Sequence, residues 1–208
     1  MDKDDFIESV EDMFAATLNR FVVEIAACST FSGNIQLVDG VALDRFSLLA
    51  ERVICSILVA DRYIETEQVP IEIEQELLLS WVVLGAATEY ALAIFLAIYP
   101  EQSLKQIPEI KGIRHKKIED LSFDDLIKFY QNVSDFSQED LETLLCIKNN
   151  RNAVHLIKHR ELASWKAYKS SVECFFSLLQ ALLRCLPDLS DAKENYMETQ
   201  REAETICR

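Results

Sequence analysis

The sequence predicts an all-α, up-and-down bundle of four to five long helices plus short ones. Three observations lead there. Glycine and proline number only four each in 208 residues, against average usage of roughly 7 % and 5 %. That scarcity disfavours the tight turns of sandwiches and barrels, and glycine-rich nucleotide loops. Apolar residues recur in steps of three and four along most of the chain, the period of an amphipathic helix. Half of all residues are hydrophobic, enough to build a core and too many for a disordered chain.

The elements follow in order. Phe6, Val10, Met13, Thr17, Phe21, Ile25 and Cys28 describe one stripe of a helix from about Asp4 to Cys28. Ser32-Gly33-Asn34 and Asp39-Gly40 mark the loop after it. Leu43, Phe46, Ala50, Val53, Ile57, Ala60 and Ile64 continue the spacing in a second helix, from about Val41 to Ile64. Pro70 and Pro100 bracket a third, from about Ile71 to Ile98. Residues 101–121 hold Pro108 and Gly112 and read as a long connection. Ser122 is placed as an N-cap, with Asp124 and Asp125 in the first turn of a short helix to about Asn132. Ser137-Gln138-Glu139-Asp140 is a capping signature opening a helix from about Gln138 to Lys158. Trp165, Tyr168, Val172, Phe175, Leu179, Leu182 and Leu186 then form a bundle seam ended by Pro187. Residues 1–187 are expected to be one domain. Residues 188–208 read as a polar tail with weak helical character.

The third helix is apolar enough to raise a membrane question. Leu77–Tyr99 has the length of a bilayer span. Its single charge, Glu89, falls near the centre, where a carboxylate is costly, and the upstream flank (Glu72, Glu74, Glu76) is acidic. A central buried helix and no membrane partner are expected. Glu89 then reads either as a functional carboxylate or as an interface residue paired with a basic group. The acidic start lacks the basic and apolar run of a secretory signal. The six cysteines contain no C-x-x-C pair. Both features imply a cytoplasmic protein with reduced cysteines used as small core residues.

The formal charge of −14 argues at first against nucleic acid, because phosphates repel a negative surface. Its distribution changes that reading. Residues 105–117 and 148–169 together hold 11 of the 21 basic side chains and 2 of the 35 acidic ones. The chain is an acidic body with two basic islands, and His115, His155 and His159 all lie in them.

The helix opening at Gln138 carries the most informative pattern. Leu144, Ile147, Arg151 and Val154 follow one stripe; Leu141, Leu145, Lys148, Asn152, His155 and His159 follow the next. Both begin apolar, should face the core, and turn polar near residue 148. Arg151 and His155 at i, i+4 share a helix face. Arginine presents a planar fork of donors suited to phosphate, and histidine moves protons near neutral pH. Asn152 can orient either. Such a set suffices for metal-independent RNA cleavage, with the ribose 2′-hydroxyl attacking the adjacent phosphate. A zinc site on His155 and His159 lacks a glutamate base and a third ligand, so no metal and no cofactor are expected.

Arg151-Asn152-Ala153-Val154-His155 resembles the signature of the HEPN superfamily. The following Leu156–Leu162 run, and Trp165 and Tyr168 opening an aromatic helix, strengthen the likeness. The resemblance implies an all-α bundle whose site forms across a homodimer. It implies Arg151, Asn152 and His155 as the catalytic set of a metal-independent endoribonuclease of toxin or defence type. Lys148, Lys158, His159, Arg160, Arg114, Lys116 and Lys117 of the two islands would guide the RNA backbone, and an antitoxin or other protein partner would neutralise it. Three residues separate Arg151 from His155, where the nuclease pattern usually has four to six. The alternative is a non-catalytic HEPN-like module that binds a nucleotide, RNA or protein.

Overall fold

A computed structural model describes residues 3–32, 40–64, 71–98, 120–131, 137–154 and 162–186. The fold is an all-α bundle, with no strand among the described residues. Its helices are α1 (Lys3–Ser32), α2 (Gly40–Tyr63), α3 (Ile71–Ile98), α4 (Phe123–Tyr130), α5 (Gln138–Arg151) and α6 (Trp165–Arg184). A 3₁₀ turn, Asn152–Val154, follows α5. The loop at Gly33-Asn34, most of the connection through Pro108 and Gly112, and the segment from Pro187 through the tail lie outside the described residues.

α3 is the hub, packing against each of the other five helices. Fourteen of its 28 residues are buried, too many for a single stripe. It is the one described helix long and apolar enough to cross a membrane, and 67 % of that apolar window is covered by the bundle.

The predicted seams of α2 and α6 are the buried ones, from Leu43 to Ala60 and from Trp165 to Leu182. Aromatic pairs join the helices. Trp81 of α3 meets Tyr168 of α6 at 5.2 Å and 82°, and Phe14 of α1 stacks on Phe176 at 4.1 Å. Thr17, Phe21, Ile25 and Cys28 of the expected α1 stripe are buried, and the departure is at Met13. Phe14 and Leu18 enter the core, while Met13 is 51 % exposed. Thirteen and fourteen both satisfy a three-four count, and the ring gains the larger burial. Cys28 is buried, but Cys55 is exposed rather than a core residue; the five described cysteines are free thiols. Cys207 lies outside the described residues.

Tyr168 anchors the centre. Its hydroxyl lies 2.5 Å from Ser56 Oγ. Burial pushes its phenol up to about 12, against the lowering effect of hydrogen bonds with Ser56 and Ser80. In the unfolded chain the phenol titrates near 10. Below that pH both states keep the proton. Between the two values only the unfolded chain releases it, so stability falls as pH rises, by about 2–3 kcal/mol across the window. Alkaline denaturation of Tyr168→Phe should lack this part of the slope, and an unchanged slope would count against the assignment.

Candidate functional site

The site is built where α5 ends against α3. Reciprocal capping starts α5: the Ser137 amide donates to Asp140 Oδ2 at 2.9 Å, and the Asp140 amide donates to Ser137 Oγ at 3.1 Å. Its Leu144 and Ile147 are buried as the stripe predicts. The next residue on that stripe is Arg151, so the helix aims a cation at the core.

Three residues accommodate it. Gly85 of α3 provides the space. A Cβ built there would lie 2.6, 2.7 and 2.8 Å from Arg151 Cδ, Cβ and Cγ. Glu89, one turn further along α3, provides the counter-charge, with Arg151 Nη2 2.7 Å from Glu89 Oε2. Phe123, the first residue of α4, provides a ring face, 5.8 Å from the guanidinium carbon to the centroid. The Arg151 and Glu89 side chains are 30 % and 24 % exposed, so the pair sits at the edge of solvent. Of the two readings of Glu89, the geometry shows the ion pair.

The expected continuation of α5 to about Lys158 is corrected. The α-helix ends at Arg151, and the chain tightens into the 3₁₀ turn. Asn149, Asn150 and Asn152 supply the reason, since asparagine competes with the helical ladder through its own amide. Asn150 does so visibly: its Nδ2 donates to the Cys146 carbonyl at 2.9 Å, and its Oδ1 accepts from the Ala163 amide at 2.8 Å. The α-helix expected to carry both Arg151 and His155 thus ends at Arg151, and His155 lies outside the described residues. Asn152 caps the helix with φ −78° and ψ −3° and donates its amide to the Lys148 carbonyl. Leu145, expected toward the core, is exposed.

Lys148 lies one turn before Asn152, and its Nζ is 2.5 Å from Asp124 Oδ1 of α4. Lys169 of α6, also in the second basic island, pairs with Asp61 of α2. Each of these three cations is thus matched by a carboxylate from a different helix. His155, Lys158, His159, Arg160, Arg114, Lys116 and Lys117 lie outside the described residues. Among the described residues no group of three or more His, Cys, Asp or Glu is placed to hold a metal ion.

No family model, curated protein or solved structure matches the chain.

Gly85, Phe123 and Asn150 do not stand out in the sequence as site residues. A glycine inside an otherwise apolar helix is a weak signal of close backbone approach, and Gly85 carried it. Phe123 and Asn150 gave no comparable signal, because their roles depend on residues 28 and 13 positions away.

The arrangement holds one guanidinium in a fixed place, through one nitrogen, beside a polar helix end. A fixed cation of this kind stabilises negative charge developing on a phosphate oxygen without reorganising at the moment of reaction.

Proposed function

We propose that this chain is a HEPN-like, metal-independent endoribonuclease of toxin or defence type. It acts in the cytoplasm on RNA, as a homodimer that a neutralising protein partner holds in check. The observation that carries the reading is Arg151. A core-facing stripe of α5, a glycine of α3, a carboxylate and a ring fix it in place within an Arg-Asn-x-x-His run. In the reaction, the bond from the ribose 2′-oxygen to phosphorus forms and the bond from phosphorus to the 5′-oxygen breaks. A 2′,3′-cyclic phosphate and a 5′-hydroxyl result. Arg151 stabilises the charge on the phosphoryl oxygens, Asn152 orients it, and His155 carries the proton from the 2′-oxygen to the 5′-oxygen. The two basic islands lower the repulsion of the acidic body locally and guide the RNA backbone; the rest of the surface keeps RNA from coating it.

A second reading is favoured by the pairing of Lys148, Arg151 and Lys169 with Asp124, Glu89 and Asp61. Cations already matched within the chain suit a non-catalytic module that binds a nucleotide, RNA or protein. One experiment separates the two. Structured and single-stranded RNAs are incubated with the protein in excess chelator, beside Arg151→Ala and His155→Ala. The nuclease should yield 2′,3′-cyclic ends, and each substitution should lower the rate by about 100-fold or more. Intact RNA with folded parent and variants would sink the nuclease and leave the binding module.

A further inference from the structure

One face of α3 handles both ends of the connection between α5 and α6. Trp81, Gly85 and Glu89 follow one another at single-turn spacing on it. Gly85 and Glu89 receive Arg151, the last residue before the connection. Trp81 receives the other end: its indole N–H donates to the Ala163 carbonyl at 3.3 Å. The amide of the same residue, Ala163, donates to Asn150 Oδ1. Both polar groups of Ala163 are therefore held by side chains, one from α3 and one from α5.

Asn150 is an unusual residue for this place. It is 7 % exposed inside a helix, where asparagine is a poor former. Its burial is tolerated because both ends of the amide are used, on Cys146 and on Ala163. Leucine would keep the packing and lose the anchor. Aspartate would keep the acceptor but lose the donor to the Cys146 carbonyl.

We propose that Asn150 and Trp81 are positioning residues for the Arg151 site. They act through the Ala163 peptide, fixing the return of the chain to the face of α3 that seats Arg151. The clasp holds α5 at the depth where Arg151 meets Gly85 and Glu89. Loosening it at Ala163 lets the end of α5 shift, and Arg151 leaves its seat. The inference rests on Arg151 being the working arginine of the proposed site, but it is tested without cleavage.

The test follows two NMR signals in the full chain, the Arg151 side-chain Nε–H and the Ala163 backbone amide. The variants are Trp81→Phe, which keeps a ring and removes the indole donor, and Asn150→Ala. The control is Leu18→Ala, a core truncation in α1, a helix that bears none of the clasp residues. Both clasp variants should speed Ala163 amide exchange by tenfold or more and shift or broaden the Arg151 signal; the control should do neither. Trp81→Phe is decisive, because residue 81 is not a chain neighbour of Arg151. Faster exchange at Ala163 with an unmoved Arg151 signal in Trp81→Phe would overturn the proposal, as would slow exchange in both variants. Where the parent cleaves RNA, kcat should fall at least tenfold in the clasp variants with KM within twofold. Where it does not, the nuclease reading fails alone, and the two signals still decide the clasp.

Discussion

Replacing Arg151 by alanine should destabilise the fold by about 1–3 kcal/mol, besides its effect on RNA cleavage. Glu89 is the one charged residue between Leu77 and Ile98, and the substitution leaves it without its partner on a helix that is mostly buried. Fully exposed pairs contribute about 0–1 kcal/mol, and breaking a fully buried one costs about 3–5. With side chains 30 % and 24 % exposed, this pair belongs between those limits. The measurement is a double-mutant cycle with Glu89→Ala, followed by denaturant unfolding. The double variant should be more stable than the sum of the single losses predicts, with a coupling of about 1–2 kcal/mol. Additive losses would mean that the contact contributes nothing to stability. Arg151→Lys should recover little, because a compact ammonium cannot place its charge over the Phe123 ring and reach Glu89 at the same time.

Gly85→Ala should lower stability, although the same change in an ordinary helix interior raises it by about 1 kcal/mol. The added methyl would come within 2.8 Å of three stem atoms of Arg151, including its Cβ. A flexible tip could swing away, but a Cβ moves only with its backbone, so α3 and α5 must separate. Overpacking of this kind costs about 1–3 kcal/mol. Less the helix gain of about 1 kcal/mol, a net loss of about 1 kcal/mol would lower the thermal midpoint by roughly 2–4 °C in a chain of this size. Combining it with Arg151→Ala removes two of the three contacts, so the two losses should be less than additive. A midpoint that rises in Gly85→Ala would show that the helices adjust freely and that Arg151 is not seated by this glycine.

These two positions show how much of the site could be read in advance. Arg151 was legible. It falls on the stripe of Leu144 and Ile147, and a polar residue at a core-facing position demands a partner. Glu89 was legible for the matching reason, as a lone carboxylate in an apolar run. That the two partner each other was not, since 62 residues separate them and periodicity carries no distance information. The end of α5 is hidden in the sequence, because a continuous three-four pattern runs on through His155 and His159. The hydrogen bond from Ala163 to Asn150 lies beyond any local count. Met13 and Phe14 make the same point in α1, where the pattern allows either and the ring of Phe176 selects the second.

The all-α class, the helix order and the main seams are legible in the amino-acid order alone. Those follow from short-range terms: propensity, capping and the period at which apolar residues recur. The two basic islands are legible there too. What the second island's described cations do emerges only from the folded packing. Lys148, Arg151 and Lys169 meet Asp124, Glu89 and Asp61 from three other helices. Charge pairing acts through space at a few ångströms, and the fold, not chain order, sets which groups come that close.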